Sequence, residues 1–276
     1  MLKDHEPLVS IAIPTHNRLK NYFPLTLQSA LRQTYSPLEI IVSDNASSDG
    51  TSEFMAGIDD QRVKYIRHEI PLDPQQNFNQ CLSTAKGEYF LLLHDDDLID
   101  PIFIQKCLAA VKDHGNVGVV RTGVRTIDEN GLMIREYVNE ESAPSADLLI
   151  EKWLNGRVMM LLCNTLYNTQ ALRAAGGFNS PEQLFNDVAA TFRVLTEHGY
   201  LDVPDNLSSF RKHKAQRTGG GVLDRWIIDS HYLAGLIEEL HGNNINNWRR
   251  LSNIHFTKHN YDLALGLKGW ATRLRA

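Results

Sequence analysis

Four short apolar runs in the first hundred residues constrain this chain more than any other feature. They are Leu8-Val9-Ser10-Ile11-Ala12-Ile13, Glu39-Ile40-Ile41-Val42-Ser43, Val63-Lys64-Tyr65-Ile66 and Tyr89-Phe90-Leu91-Leu92-Leu93. Rich in branched and aromatic residues and mostly without polar alternation, they read as strands buried on both faces. Between them the apolar spacing is helical over Tyr22 to Gln33, Thr51 to Gly57 and Gln75 to Ala85. The third of these helices is expected to end at Gly87 as a C-cap, and Pro14 to stop the first strand. Strands alternating with helices predict an α/β fold, a mostly parallel sheet with helices on both faces. Ligands of such sheets bind beyond the carboxyl ends of the strands.

Three of those ends carry polar or acidic loops: Pro14–Arg18, Asp44–Thr51 and Asp95–Asp97. Polar turns closing strands explain any one of them, but fit all three together less well. Three adjacent carboxylates raise one another's pKa unless a cation offsets them. Mg²⁺ or Mn²⁺ does so well, since both take oxygen ligands and share one or two carboxylates with substrate phosphates. Asp95-Asp96-Asp97 is therefore read as holding a divalent metal that neutralises a diphosphate. The alternative is a solvated acidic turn before a helix, a role that Asp100 beside Pro101 also suits.

The second half is less regular. A helix is expected from Pro101 to about His114, then apolar segments Val117–Val120 and Val124–Ile134 with a turn at Asp128–Gly131. Residues 153–168 are mixed in character, Gly176-Gly177-Phe178 marks a turn, and Pro181 to His198 reads as a helix with Asp187 in its first half. A strand around Leu207–Arg211 precedes a polar, glycine-rich stretch to Gly221, read as a mobile loop or linker. Asp224–His241 and Trp248–Leu274 read as helices.

The 276 residues suffice for one large domain, or one domain with an annex, and 42% hydrophobic against 22% charged residues rules out disorder throughout. A net charge of −5 argues against a nucleic-acid coat, so no nucleic-acid partner is expected. The average hides a split, because residues 241–276 hold six Lys and Arg against the single acid Asp262. Cys81, Cys107 and Cys163 are odd in number and form no CxxC pair, so they are expected as buried free thiols. With no apolar signal segment and no run near the ~20 residues that span a bilayer, a cytoplasmic location is expected.

The ordered set of motifs resembles the family 2 glycosyltransferases of GT-A fold. It comprises Val9 to Arg18, Glu39 to Thr51, Ala85-Lys86-Gly87-Glu88-Tyr89 running into Asp95-Asp96-Asp97, then Gly176-Gly177-Phe178, Asn186-Asp187 and Arg211-Lys212-His213. The resemblance covers about residues 7–217. It implies a GT-A domain over 1–217, with a nucleotide-binding half to about residue 100 and an acceptor-binding half over 101–217, followed by a helical extension over 218–276. The implied reaction is inverting transfer of a sugar from a nucleotide-diphosphate sugar, a UDP-sugar by family weight, to a hydroxyl of a saccharide or lipid-linked acceptor. Synthesis of a cell-surface polysaccharide or glycolipid is the implied setting.

Carried over residue by residue, the resemblance gives Pro14, Thr15, Asn17, Arg18 and Asp44 to the base and ribose, with Asn79 as a looser donor-side match. Asn45, Ser47 and Asp49 are expected to shape their loop rather than touch the donor. The triplet maps onto the family's DxD-type motif, Asp97 as metal ligand and Asp95 and Asp96 serving the ribose and supporting that ligand. His94 replaces the common acid and is read either as lining the sugar site or as a packed histidine. Arg211 is expected at the diphosphate and His213 at the metal, Mn²⁺ or Mg²⁺. Asp187 is the implied base; the preceding Asn186 replaces an acid, which puts the acceptor class in question more than catalysis. Gly219–Gly221 is read as a lid hinge.

Two rival readings remain: a non-catalytic sugar- or partner-binding module on an inactive transferase fold, or a nucleotidyltransferase, which would want a glycine-rich basic loop in place of Pro14–Arg18. An aspartyl-phosphate phosphatase fits worse, because Asp95–Ile99 lacks its Asp-x-Asp-x-Thr/Val pattern. The aromatic and basic residues of 223–276, among them Trp248, Phe256, Tyr261 and Trp270, suit either peripheral docking on an anionic membrane or packing on the catalytic domain or a second subunit. Packing is favoured.

Overall fold

The computed structural model describes residues 6–139, 145–213, 223–242 and 244–273, with side chains to residue 265. Its first strand, β1 (Val9–Thr15), is buried along its whole length and pairs in parallel with β2 (Leu38–Asp44) on one side and β4 (Tyr89–Leu92) on the other. β3 (Val63–Arg67) extends this parallel array at the edge, where its burial is only partial. Contrary to expectation, β1 continues through Pro14, which stands opposite Ser43. The ladder to β4 pairs Val9 to Ala12, so Pro14 lies where β1 has one neighbour and its missing N–H breaks no central ladder.

Helices α1 (Phe23–Leu31), α2 (Thr51–Ala56) and α3 (Pro74–Thr84) make the crossovers. α3 starts with a capping box, Asp73 accepting from the Gln76 N–H while the Gln76 side chain reaches back to Asp73. It ends at Ala85, and Gly87 is not its cap. Glycine is required there because a Cβ would lie 2.6 Å from the Ser10 nitrogen, where the chain enters β4 against β1.

Beyond β4 follow β5 (Leu98–Ile99), α4 (Phe103–His114), β6 (Val119–Ile127), β7 (Met133–Tyr137), α5 (Ala146–Leu154), a 3₁₀ turn (Leu162–Asn164), β8 (Thr165–Asn168) and α6 (Thr169–Ala174). Then come α7 (Asn186–His198), β9 (Tyr200–Arg211), α8 (Leu223–Leu240) and α9 (Ile245–Arg273). Among the described residues one sheet runs β3-β2-β1-β4-β8-β6-β9-β5, with β7 on β6. It is parallel from β3 to β4 and again between β6 and β9, and antiparallel at the β8, β5 and β7 contacts. The mixed stretch over 153–168 resolves into the end of α5, the 3₁₀ turn and β8. The expected helix over 181–198 begins later, at Asn186, which puts Asp187 in its first turn.

Each face of the sheet has its own core. One joins β1 side chains Val9, Ile11 and Ile13 to Phe23, Leu27, Met55 and Phe103. The other joins Ala12 and Phe90 to α3, α5 and α7, and continues without a break into Trp226, Leu233, Trp248 and Phe256 of α8 and α9. Ring centroids of Trp226 and Phe256 lie 5.2 and 5.8 Å from Phe185, and His255 lies 4.6 Å from Trp153. The C-terminal helices therefore pack on the body of the sheet domain through Trp226, Trp248 and Phe256, while Tyr261 and Leu265 are exposed. Among the described residues no helix is long and apolar enough to cross a membrane. The 217/218 boundary and the Gly219–Gly221 hinge lie outside the described residues. All three cysteines are free and buried.

Candidate active site

The carboxyl ends of β1 and β4 open on a cavity of about 520 Å³. One wall carries Pro14, Thr15, His16 and Arg18 from the end of β1, and His94 to Asp97 from the end of β4. A second wall carries Leu161 and Leu162, the segment before α7, Asn186 and Asp187 at its start, and Trp226 of α8, and Asn45 with Pro74, Asn77 and Phe78 of α3 also line the space. The acidic triplet and the distant Asp187 thus face one space.

The loops behind the first wall are tied by their own side chains. The Asn17 N–H donates to Ser47 Oγ at 2.9 Å, Asn17 Oδ1 accepts from the Ser48 N–H at 2.8 Å, and Asp49 accepts from the Leu19 N–H at 2.8 Å. Asn17 holds φ 53°, a left-handed conformation to which asparagine is suited. The Asn45 side chain both donates to and accepts from the Leu72 backbone. These bonds hold the loop through Asn45, Ser47 and Asp49, and Asn45 in addition lines the cavity.

Asp44 lies behind the cavity wall. Fully buried, it accepts from the Ser47 N–H at 2.8 Å and from the Tyr65 hydroxyl at 2.5 Å, and stands 3.7 Å from Arg67. Burial, then that hydrogen bond, pushes the Tyr65 hydroxyl up to about 12. Asn79 is also away from the lining. Its amide clamps Phe178, donating to the carbonyl at 2.8 Å and accepting from the N–H at 2.9 Å, and so fixes the Gly176–Phe178 turn.

Within the triplet, Asp97 is the deepest. Its carboxylate accepts from the Arg211 backbone N–H at 2.9 Å, and its carbonyl accepts from Thr26 Oγ1 at 2.8 Å. Burial, and then the neighbouring Asp96, hold the Asp97 carboxyl well above the usual range. Asp95 is pushed up to about 7 for the same two reasons, opposed by Thr15, Arg18 and the His16 backbone. The buried Arg211 side chain does not line the cavity. It donates through Nε to the Asp96 carbonyl at 2.9 Å and through Nη1 to the Asp128 carbonyl at 3.2 Å, with its guanidinium 4.5 Å from the Tyr22 ring. The His213 ring lies tilted, 4.9 Å from the same ring, and meets Asp96 Oδ2 at 2.9 Å. Both residues therefore brace the triplet from behind. On the cavity side, His94, Asp96 and Asp97 each bring a possible ligand atom within 4.8 Å of the other two.

Asp187 sits deep in the body yet opens on the cavity. Burial pushes its carboxyl up, opposed by the Val188 N–H, which donates to Oδ1 at 2.8 Å, and by His94. His94 lines the cavity and its ring also lies 5.2 Å from that of Phe78, so the two sequence readings, sugar site and packing, are compatible. Trp226 and the buried Asp229 of α8 were not among the sequence candidates. Their signal was an acid on the apolar stripe of an otherwise ordinary helix, at Trp226, Asp229 and Leu233.

The sequence model for "Glycosyl transferase family 2" matches residues 10–176. The chain is 29% identical over 158 residues to the putative glycosyltransferase EpsE of Bacillus subtilis, covering 56% of each chain. It is 31% identical over 135 residues to the GalNAc(5)-diNAcBac-PP-undecaprenol beta-1,3-glucosyltransferase of Campylobacter jejuni, covering 48% of this chain and 42% of that one. It spans about half the length of these relatives. The crystal structure of Staphylococcus aureus TarS 1–349 in complex with UDP-GlcNAc superposes with a TM-score of 0.73 at 19% identity, over 91% of this chain and 72% of that one. At that identity the likeness shows the fold, which is GT-A.

Proposed function

The chain belongs to glycosyl transferase family 2, and from that premise we propose that it moves a sugar, with inversion, from a nucleotide-diphosphate sugar to an acceptor hydroxyl. The observation that carries this reading is the shared cavity, lined by both the triplet and Asp187. The acceptor oxygen attacks the anomeric carbon as the bond to the diphosphate breaks. The nucleoside diphosphate leaves with the electron pair, and the acceptor proton passes to Asp187. A carboxylate whose pKa is raised by burial is a better proton acceptor than an exposed one, and the first turn of α7 fixes its position.

Pro14, Thr15 and Arg18 meet the nucleotide, Arg18 supplying positive charge beside Asp95, which serves the ribose. Asn17, Asp44 and Asn79 act on the donor by holding loops, and Arg211 by holding Asp96 and Asp97. The donor set of His94, Asp96 and Asp97, one nitrogen with carboxylate oxygens, fits Mn²⁺ better than Mg²⁺. His213 orients Asp96 from behind. When bound, the ion offsets the negative charge of the departing diphosphate. The nucleotide-binding half extends to about residue 100 and the acceptor-binding half beyond it.

UDP is the favoured carrier, in keeping with the UDP-GlcNAc in the TarS complex, and a cell-surface saccharide, free or lipid-linked at the inner face of a membrane, is the favoured acceptor. A thermal-shift panel of nucleoside diphosphates and their sugars, with and without Mn²⁺, tests the reading. One base should stabilise the protein above the rest, more strongly with Mn²⁺ and more again with its sugar. Equal, metal-independent shifts across the panel would refute it.

A further inference from the structure

The family match ends at residue 176, yet part of the cavity wall comes from beyond it. Asp229 of α8 is fully buried, and its carboxylate gathers the segment that leads into Asp187. It accepts from Ser180 Oγ at 2.8 Å and from the N–H groups of Glu182 at 2.8 Å, Leu184 at 2.7 Å and Phe185 at 3.1 Å. Hydrogen bonds to an ionised acceptor are among the strongest available to a loop. Within this clamped segment Gln183 takes φ 63°, a left-handed conformation that a non-glycine residue keeps only where its surroundings impose it.

Gln183 lines the cavity, and so does Trp226, one helical turn before Asp229. The indole Nε1 of Trp226 and the amide Oε1 of Gln183 are both buried and both lack a hydrogen-bond partner among the described residues. Buried polar atoms, and buried indole N–H groups in particular, ordinarily have one. Here the two orphans are of opposite kind, one donor and one acceptor. The neighbouring lining is apolar, from Leu161, Leu162 and Leu184, and the described lining from residue 161 onward contains no Lys or Arg. A wall of this composition suits a ligand with apolar faces and hydroxyl edges, and these residues bring no cation to a phosphate.

Resting on the proposed transferase reading, we infer that α8 completes an acceptor subsite for an uncharged saccharide. Trp226 donates to one ring oxygen or hydroxyl, and Gln183 accepts from a hydroxyl. The leucines meet the C–H faces of the ring. Asp229 is a positioning residue, holding Gln183 and the approach to Asp187 in register.

The test uses the full chain with Mn²⁺ and the nucleotide sugar identified by the thermal-shift panel, offering p-nitrophenyl glycosides of glucose, galactose and N-acetylglucosamine. Failure to release nucleoside diphosphate from any donor, with or without acceptor, would sink the transferase reading itself. Where release occurs, at least one glycoside should be glycosylated or bind in the presence of the nucleoside diphosphate. Trp226→Phe and Gln183→Leu should each raise KM for that glycoside at least tenfold more than KM for the donor. Asp229→Asn should lower kcat for transfer to the glycoside more than donor hydrolysis without it, a split that general destabilisation does not produce. Donor turnover with no glycoside bound, or equal changes in donor and acceptor KM in both Trp226→Phe and Gln183→Leu, would overturn the subsite.

Discussion

The two walls of the cavity are built by different means. The wall at the ends of β1 and β4 comes mainly from two short stretches, Pro14 to His16 with Arg18 and His94 to Asp97, which follow neighbouring parallel strands, with Asn45 and the α3 residues Pro74, Asn77 and Phe78 beside them. The other wall is assembled from the segment before β8, the loop before α7 and a helix some forty residues further on. Contiguous motifs make a site whose chemistry is fixed by the sheet. An assembled wall makes one whose shape depends on long-range packing, so the two should respond differently to substitution.

The largest expected effect falls where both walls meet the reaction. Asp97→Ala and Asp187→Asn should each reduce turnover by about 10²–10⁴-fold. They should differ in binding: Asp97→Ala loses the Mn²⁺-dependent part of the nucleotide thermal shift, whereas Asp187→Asn keeps it. Near-normal turnover in either variant would end that role for the residue. Next is the packing of the assembled wall. Phe256→Ala removes a ring 5% exposed that touches Phe185, and should cost about 3–5 kcal/mol while unfolding remains a single transition. Two separate thermal transitions would instead show that α8 and α9 are an independent unit.

Smaller effects sharpen the first wall. Arg211→Met leaves the Asp96 and Asp128 carbonyls without that guanidinium, which should lower stability by about 1–3 kcal/mol in urea unfolding. The smallest is a displacement along the pH axis. A base must be ionised to accept a proton, and burial raises the Asp187 pKa. Activity should therefore fall as pH decreases, with the acid limb of kcat/KM above the ordinary aspartate value of about 3.9. A limb at or below that value would count against a buried Asp187 as the base.

The contrast between the walls also explains what could be read from the sequence. The parallel half was legible because each strand is a short apolar run, and each motif sits intact at its end. Asp44 and Asn79 are motif positions whose hydrogen bonds turn away from the cavity, toward Tyr65 and Phe178, and only the fold shows that direction. Gly87 looked like a helix cap because local rules explain a glycine by its own backbone; its reason is Ser10, seventy-seven residues earlier. Pro14 breaks a strand only where two neighbours need its N–H, which depends on where β4 stops pairing. Trp226 and Asp229 read as ordinary members of an amphipathic helix, since nothing local shows that four hydrogen-bond donors from residues 180–185 converge on that acid.

That convergence has a consequence for descent. A segment of six residues and a single acid more than forty positions later are joined so closely that neither can drift alone. Replacing Asp229 by an apolar residue strands three backbone N–H groups, and lengthening the loop leaves a buried carboxylate without its donors. Among the chain's nearer homologues the two should be inherited as one unit. A transplant of acceptor preference between such proteins should succeed only when both pieces travel together.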